Sequence, residues 1–371
     1  MVNAPAWSSS PDAWFSRPAA RAWTGPPPPA GVTAFHRTLP GYAPTPLVEV
    51  PSLAAGLGVR RVFVKDESAR LGLPAFKILG ASWGIYRALG DTYGLTGVPL
   101  SRLRAALPPV RLITATDGNH GRAVAAMARL LGLAADVYVP YGVHPAAMAA
   151  IKAEGAGLTE VSGPYDEAVR LAADVAASDP EALLVQDTSW PGNERVPQWI
   201  VDGYSTLFNE IDEQLAALGA APAGLVAVPA GVGSLAQAAV AHYRSGPARP
   251  TVLCVEPDAA ACILASLHNN EPVTVETGST TMAGLNCTTP STLAWPVLRS
   301  GLDAAVAITD TDTARAAHDL SALGISAGPC GAASLAGTRI AMARRPALAP
   351  EHSETIVLLN TEGQAANPSL P

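Results

Sequence analysis

The sequence predicts an α/β fold with mainly parallel sheets. Three observations carry this expectation. Short β-branched runs alternate with Ala/Leu-rich stretches along most of the chain, the pattern of strands joined by crossover helices. Two glycine-containing turns, at 114–121 and 229–237, each follow a strand pattern and open a helical one. With 371 residues, 49% hydrophobic and 15% charged, the chain is long and apolar enough for one large core or two domains.

Taken in order, residues 1–35 are rich in Pro, Trp and Ala, with prolines at 26–29. They read as an irregular arm that Trp7, Trp14 and Trp23 pack onto the body or a partner subunit. RRVFVK (60–65) is the first clear strand. A helix is expected to start near Lys77, and 96–109, with Pro and Gly, reads as a surface loop. VRLITA (110–115) is a strand, 119–131 a helix, ADVYVP (135–140) a strand and 165–177 a helix. A further strand ends just before Asp187. GLVAVP (224–229) leads into a helix at 233–244, and 245–250 reads as a second surface loop. TVLCVEP (251–257), a helix at 310–323 and ETIVLLN (354–360) complete the pattern.

Composition narrows the class of protein. Net charge is −7, the pI is about 5.5 and no basic run is present, so nucleic acid is not an expected partner. No stretch reaches the ~18 consecutive apolar residues of a membrane span. No charged segment followed by an apolar one opens the chain, which predicts a cytoplasmic protein. Cys254, Cys262, Cys287 and Cys330 lack C-x-x-C spacing and read as core residues rather than a zinc site. A Cys262–Cys287 disulfide is left open, because spacing alone does not decide it.

Four pieces carry candidate chemistry. Lys77 lies among Ala75, Phe76, Ile78 and Leu79 at a helix start. A cation there is opposed by desolvation and by the helix dipole, which favours a nucleophilic amine able to form an imine with an aldehyde. A single lysine in such a place is more often a stem on apolar surface with its head in water. In TATDGNHG (114–121), Gly118 and Gly121 permit tight backbone geometry, and Asn119 can donate to a phenolate oxygen on a ring. The plainer reading is a strand-to-helix turn capped by Asp117. PAGVGSLAQ (229–237) offers backbone N–H groups and the Ser234 hydroxyl to a phosphate at a helix start. It lacks the third glycine of a dinucleotide loop and the lysine of a P-loop. Asp187, in a Trp-, Gly- and Pro-containing turn, reads as a solvated carboxylate unless Lys77 and Asp117 lie nearby.

In this order the pieces resemble the fold type II family of pyridoxal phosphate (PLP) enzymes, and within it the diaminopropionate ammonia-lyase branch. The resemblance runs through GYAPTPL (41–47), VKDESARLGLPAFKILG (64–80), TATDGNHGRAVA (114–125), QDTSWPG (186–192), AGVGSLAQ (230–237), VEPDAAAC (255–262), TTMAGLNC (280–287) and NTEGQ (360–364). It implies two α/β domains around a cleft. The large one would comprise 36–80 and 195–371, and the small, mobile one 81–194.

It further implies that Lys77 is the Schiff-base lysine, with Phe76 beside it, and that Asn119 faces the 3-oxygen of the cofactor. Gly231, Val232, Gly233, Ser234 and Leu235 would cup its phosphate. Thr361 and Asn360 are rivals for the pyridine nitrogen. Asp117 and Asp187 match the two catalytic aspartates. Thr116, Asp117, His120, Asp187 and Gly284 would meet the substrate.

The activity so implied is α,β-elimination of 2,3-diaminopropionate, D or L or both, to pyruvate and two ammonia through 2-aminoacrylate. Lys77 would act as base on one face and Asp117 on the other. Asp187 would pair with the β-ammonium or protonate the departing amine. A homodimer is implied as well. Three departures set the chain apart: Pro74 where the family usually has Asn, AGPCGAAS (327–334) for a segment carrying glutamate in SGESGA, and Asn360 and Gln364 for the Ser and Asp of STEGD. Two other readings remain. One is a serine/threonine dehydratase or β-replacement enzyme of the same fold. The other is a PLP-binding protein without catalysis.

Overall fold

The computed structural model describes residues 13–116, 118–344 and 354–366. Trp7 and Asp117, both singled out above, lie outside the described residues. In chain order the strands are β1 (Trp14–Ser16), β2 (Leu47–Glu49), β3 (Arg61–Asp66), β4 (Arg111–Ala115), β5 (Ala134–Pro140), β6 (Gly157–Val161), β7 (Ala182–Leu184), β8 (Leu225–Pro229), β9 (Thr251–Pro257), β10 (Ala304–Ile308) and β11 (Thr355–Asn360).

They form two sheets. The larger has the order β1-β10-β9-β8-β11-β3-β2, and the smaller β6-β5-β4-β7. All pairings in the smaller sheet are parallel. The larger sheet is parallel except at its ends, where β1 runs against β10 and β2 against β3. β8, β9, β10 and β11 are buried along their whole length, as strands covered on both faces must be. The protein is thus an α/β fold of two sheets. Every strand of the smaller sheet falls between residues 81 and 194, and every strand of the larger one outside that span.

Three local expectations differ from the structure. The arm is not irregular throughout: Trp14, Phe15 and Ser16 pair with Val306, Ala305 and Ala304, and a 3-10 turn follows at Pro18–Ala22. The stretch 96–109 contains a helix, Leu100–Ala106, which buries Leu103. β10 went unanticipated because AAVAI is alanine-rich and reads as helix; burial between β1 and β9 overrides that propensity.

The helix Lys77–Thr92 packs on both Asn119–Leu131 and Arg195–Gly203, and so crosses the domain limit expected at residue 80. Its approach to Arg195–Gly203 depends on missing side chains. A Cβ on Gly80 would come within 2.5 Å of the Tyr204 ring, and one on Gly203 within 2.5 Å of the Leu79 carbonyl oxygen. Glycine therefore sets how close the helix carrying Lys77 lies to its neighbour.

Two buried polar devices hold the scaffold. The first is an ion cluster. Glu210 accepts from Lys65 Nζ at 2.6 Å and from two Arg70 nitrogens at 2.7 and 2.8 Å. Glu67 accepts from Arg70 at 2.6 and 2.7 Å. This ties β3 and the turn after it to the helix Ser205–Ala217. The second is His36, whose Nδ1 lies 2.7 Å from Thr206 Oγ1 and whose Nε2 lies 2.9 Å from the Leu79 carbonyl oxygen. A carbonyl only accepts, so Nε2 carries the proton.

Burial lowers the His36 pKa to about 4. An unfolded histidine titrates near 6.5, so between these values the unfolded state binds more protons and stability falls as pH falls. This one group is expected to cost roughly 2 kcal/mol between pH 6.5 and 5. Urea denaturation at both pH values, on wild type and His36→Gln, checks this. The variant should be less stable at pH 7 but show a flatter slope. An unchanged slope would mean that His36 is not the acid-sensitive group.

Candidate active site

The described candidate residues lie together where segments of the two sheets meet. Lys77 is the first residue of its helix, and its Nζ donates to Asp187 Oδ2 at 2.6 Å. The Lys77 side chain is 24% exposed and that of Asp187 11%, so the amine can be reached while its partner is largely covered. Lys77 Nζ also lies 5.6 Å from the centre of the Phe76 ring. Phe76 in turn packs on Tyr204, with ring centres 4.9 Å apart. Burial pushes the Tyr204 hydroxyl up to about 12, against the influence of the neighbouring Lys77.

Asp187 follows β7, and its surroundings decide its charge. Burial pushes its carboxyl up, but the charge that His120 carries at the low pH where Asp187 titrates, and Lys77 through charge and a hydrogen bond, outweigh this and bring it to about 2. It is a carboxylate at neutral pH. His120 is buried, and its Nε2 lies 2.9 Å from the Val185 carbonyl oxygen, which must therefore accept. Burial lowers the His120 pKa, so the ring is neutral and Nδ1 is bare. That nitrogen lies 3.8 Å from Asp187 Oδ2 and has no hydrogen-bond partner among the described residues.

The glycine loop lies on the other side of Asp187. Ser234 opens the helix Ser234–Ser245 and donates its hydroxyl proton to the Asp187 carbonyl oxygen at 3.2 Å. Gly233 takes φ +97°, a left-handed conformation that glycine adopts without strain. The Val232 carbonyl accepts from Ser291 N at 2.8 Å, and Leu235 is buried. Gly231 is closely packed: a Cβ there would meet Cys287 Sγ at 2.8 Å and the Gly284 carbonyl oxygen at 3.2 Å. The loop that carries Gly284 thus lies against the loop that carries Gly231. Cys262 also approaches Gly231, its thiol 3.7 Å from the Gly231 carbonyl oxygen. Among the described residues no disulfide joins any of the four cysteines, Cys262 and Cys287 included.

On the third side, Asn119 opens the helix Asn119–Leu131, and Thr116 accepts from Gly118 N at 3.0 Å. A Cβ on Gly121 would lie 2.3 Å from Thr116 Cγ2, so only glycine lets that helix approach β4. Asn119 Nδ2 donates to Glu362 Oε2 at 2.6 Å. The Thr361 carbonyl accepts from Phe76 N at 3.2 Å, which places Thr361 beside the Lys77 segment. Asn360 gives its amide hydrogens to Asp66 Oδ1 at 2.8 Å and to the Ser326 carbonyl at 2.9 Å. Both partners are acceptors, so the amide orientation is determined, and its buried Oδ1 is an acceptor without a partner among the described residues.

Several neighbours were not singled out from sequence. Glu362 stood inside NTEGQ, and a single acid two residues after a fully buried strand was the available signal. Tyr204 carried none. Ser189 bonds Ser291 and Thr292, each at 2.8 Å, and so ties the Asp187 turn to the loop beyond Gly284; nothing local in the sequence marks that contact.

This donor set suits a phosphorylated pyridine aldehyde. It has a reachable primary amine, a carboxamide with N–H groups to give, a helix start with a hydroxyl for an anion, and an unpartnered acceptor near the end of β11. Fold and site together define a fold type II α/β enzyme built to hold PLP. The family model for pyridoxal-phosphate dependent enzymes matches residues 38–362, and the chain belongs to that family.

Among its relatives, diaminopropionate ammonia-lyase of Salmonella typhimurium is 38% identical over 292 residues, 75% of this chain and 72% of that protein. Holo diaminopropionate ammonia lyase from Escherichia coli superposes with a TM-score of 0.86 at 31% identity, covering 95% of this chain and 93% of that one. The Escherichia coli enzyme in complex with D-serine gives 0.82 at 32% identity, over 96% and 91%.

Proposed function

We propose that this protein is a PLP-dependent ammonia-lyase that eliminates ammonia from 2,3-diaminopropionate, with 2-aminoacrylate then hydrolysing to pyruvate and a second ammonia. The observation that carries this reading is the contact between Lys77 and an ionised, largely covered Asp187, in a chain similar to diaminopropionate ammonia-lyases over nearly its whole length. PLP, when bound, withdraws the electrons left on the α-carbon.

The rest falls to the protein. Lys77 holds the cofactor through its amine and, once displaced, takes the α-proton. Asn119, the Gly231–Leu235 loop and the Thr361–Asn360 segment hold the oxygen, phosphate and ring nitrogen. Asp187 pairs with Lys77 before substrate arrives. When that amine is engaged, the carboxylate is left to bind the ammonium on the β-carbon, whose positive charge then favours the ionised form in place of Lys77. Asp117 serves as base on the opposite face, so that both enantiomers are accepted. The D-serine complex of the Escherichia coli relative supports room for a D-amino acid. The segment 81–194 acts as the movable domain, and the enzyme works as a cytoplasmic homodimer.

Asp187→Asn is expected to lower kcat/KM for diaminopropionate by about 10²-fold or more, with a smaller loss on serine, whose β-hydroxyl carries no charge. Equal losses on the two substrates would refute ammonium pairing. The decisive experiment follows the visible spectrum of the PLP-loaded protein and pyruvate release on adding D- and L-diaminopropionate. Pyruvate from diaminopropionate establishes the lyase. Rapid turnover of serine or threonine alone moves the assignment to a dehydratase. Asp117→Asn should spare one enantiomer and lose the other; full activity on both removes the two-base scheme.

A further inference from the structure

Glu362 sits between three segments of the site. Its carboxyl is buried, with Oε2 accepting from Asn119 Nδ2 at 2.6 Å and Oε1 from Cys330 N at 3.2 Å. Its carbonyl accepts from Gly328 N at 2.9 Å, and its backbone bridges to Ala75, two residues before Lys77. The next residue, Gly363, donates to the Pro74 carbonyl at 2.9 Å. The glycines opposite have no room to change: a Cβ on Gly328 would lie 2.9 Å from Glu362 Oε1, and one on Gly331 2.7 Å from its carbonyl oxygen.

The carboxyl is therefore held on the large-sheet side by Cys330, through both its backbone N–H and its side chain, while the hydrogen bond from Asn119 reaches the helix that follows β4 of the smaller sheet. Burial raises its pKa by more than the contacts from Cys330 and Asn119 and the nearby Lys77 lower it, so it is the geometry of the Asn119 contact that sets the amide. A carboxylate only accepts. It obliges the Asn119 amide to present nitrogen rather than oxygen, and it uses one of the two N–H groups.

We propose that Glu362 is a positioning residue that fixes the orientation of the Asn119 amide, so that its second N–H is held ready for the oxygen on the cofactor ring. This rests on the reading above, in which Asn119 meets that oxygen. Glutamine at 362 can donate as well as accept, so the Asn119 amide is free to turn its oxygen inward. An acceptor then faces an acceptor.

The test compares Glu362→Gln, Asn119→Ala and the double variant with wild type. It uses the position of the visible absorbance band of bound PLP, the PLP dissociation constant and the melting temperature of the apoprotein. Glu362→Gln is expected to move the band in the same direction as Asn119→Ala and to weaken PLP binding by roughly tenfold. The double variant should be no worse than Asn119→Ala, because the two residues act through one contact. If Asn119→Ala moves the band and Glu362→Gln leaves band and affinity as in wild type, the positioning role is overturned. It is overturned equally if Glu362→Gln only lowers both melting temperature and affinity with the band unmoved. If Asn119→Ala itself has no effect, the underlying reading of the site fails instead. Should Glu362→Gln not fold, Glu362→Asp, which keeps the charge but shortens the reach, provides the same comparison.

Discussion

Lys77→Ala is expected to reduce pyruvate release from diaminopropionate by about 10⁴-fold or more, because in the proposed scheme one amine both anchors the cofactor and moves the α-proton. The loss should fall on kcat. The proposed phosphate loop at Gly231–Leu235 and the proposed ring contact of Asn119 remain, so PLP binding should weaken without vanishing. The variant also changes its neighbour. Lys77 supplies charge and a hydrogen bond that help bring Asp187 to about 2. Without them, burial is opposed only by His120 and a backbone hydrogen bond, and the Asp187 pKa should rise. Steady-state turnover with a pyruvate-coupled assay, with PLP binding measured separately, checks both statements. Retention of more than a few per cent of wild-type turnover would remove Lys77 from the chemistry.

Glu210→Ala is expected to be strongly destabilising, although Glu210 is none of the proposed reacting groups. Lys65, Glu67, Arg70 and Glu210 are all buried, and their charges cancel in pairs. Removing one carboxylate leaves an uncompensated positive charge in the interior, which costs about 3–5 kcal/mol. Burial already lowers the Lys65 pKa, against the pull of Glu67 and Glu210. Loss of Glu210 should lower it further, and shedding that proton is the one relief available. Glu213, three residues on, is the internal control. It pairs with Arg37 at 3.5 Å, but both side chains are about 60% exposed. Its replacement by alanine should change stability by less than ~1 kcal/mol. Denaturant midpoints of the two variants should differ accordingly. Similar midpoints would mean that the cluster is not a structural staple.

Much of this architecture was legible from local pattern. Strands β3, β4, β8, β9 and β11 are mostly apolar runs that burial on both faces demands, β5 alternates between buried and half-buried residues, and the bounds of all six agree with expectation to within a residue. Lys77 and the loops at 114–121 and 229–237 were legible because each combines unusual residues at a strand-to-helix junction. What escaped notice depends on distant partners. β10 is a strand only because β1 and β9 flank it. Glu362 matters through a side chain 243 positions away. Glu210 belongs to a helix whose sequence contains other acids, and nothing near it announces that this one meets Lys65 and Arg70. The start of the chain misled for a related reason, since a three-residue strand among prolines leaves almost no periodic signal.

That short strand also bears on how the molecule behaves in company. β10 is a run of small apolar residues, and without β1 its outer row of N–H and C=O groups would stand open at the end of a seven-stranded sheet. Such an edge is a template for another chain. By laying Trp14–Ser16 along it, the protein uses its own beginning as a cover strip. A shortened version starting after Ser16 would therefore keep every residue of the proposed chemistry and still be poorly suited to life at high concentration, prone to precipitate rather than to lose its catalytic groups.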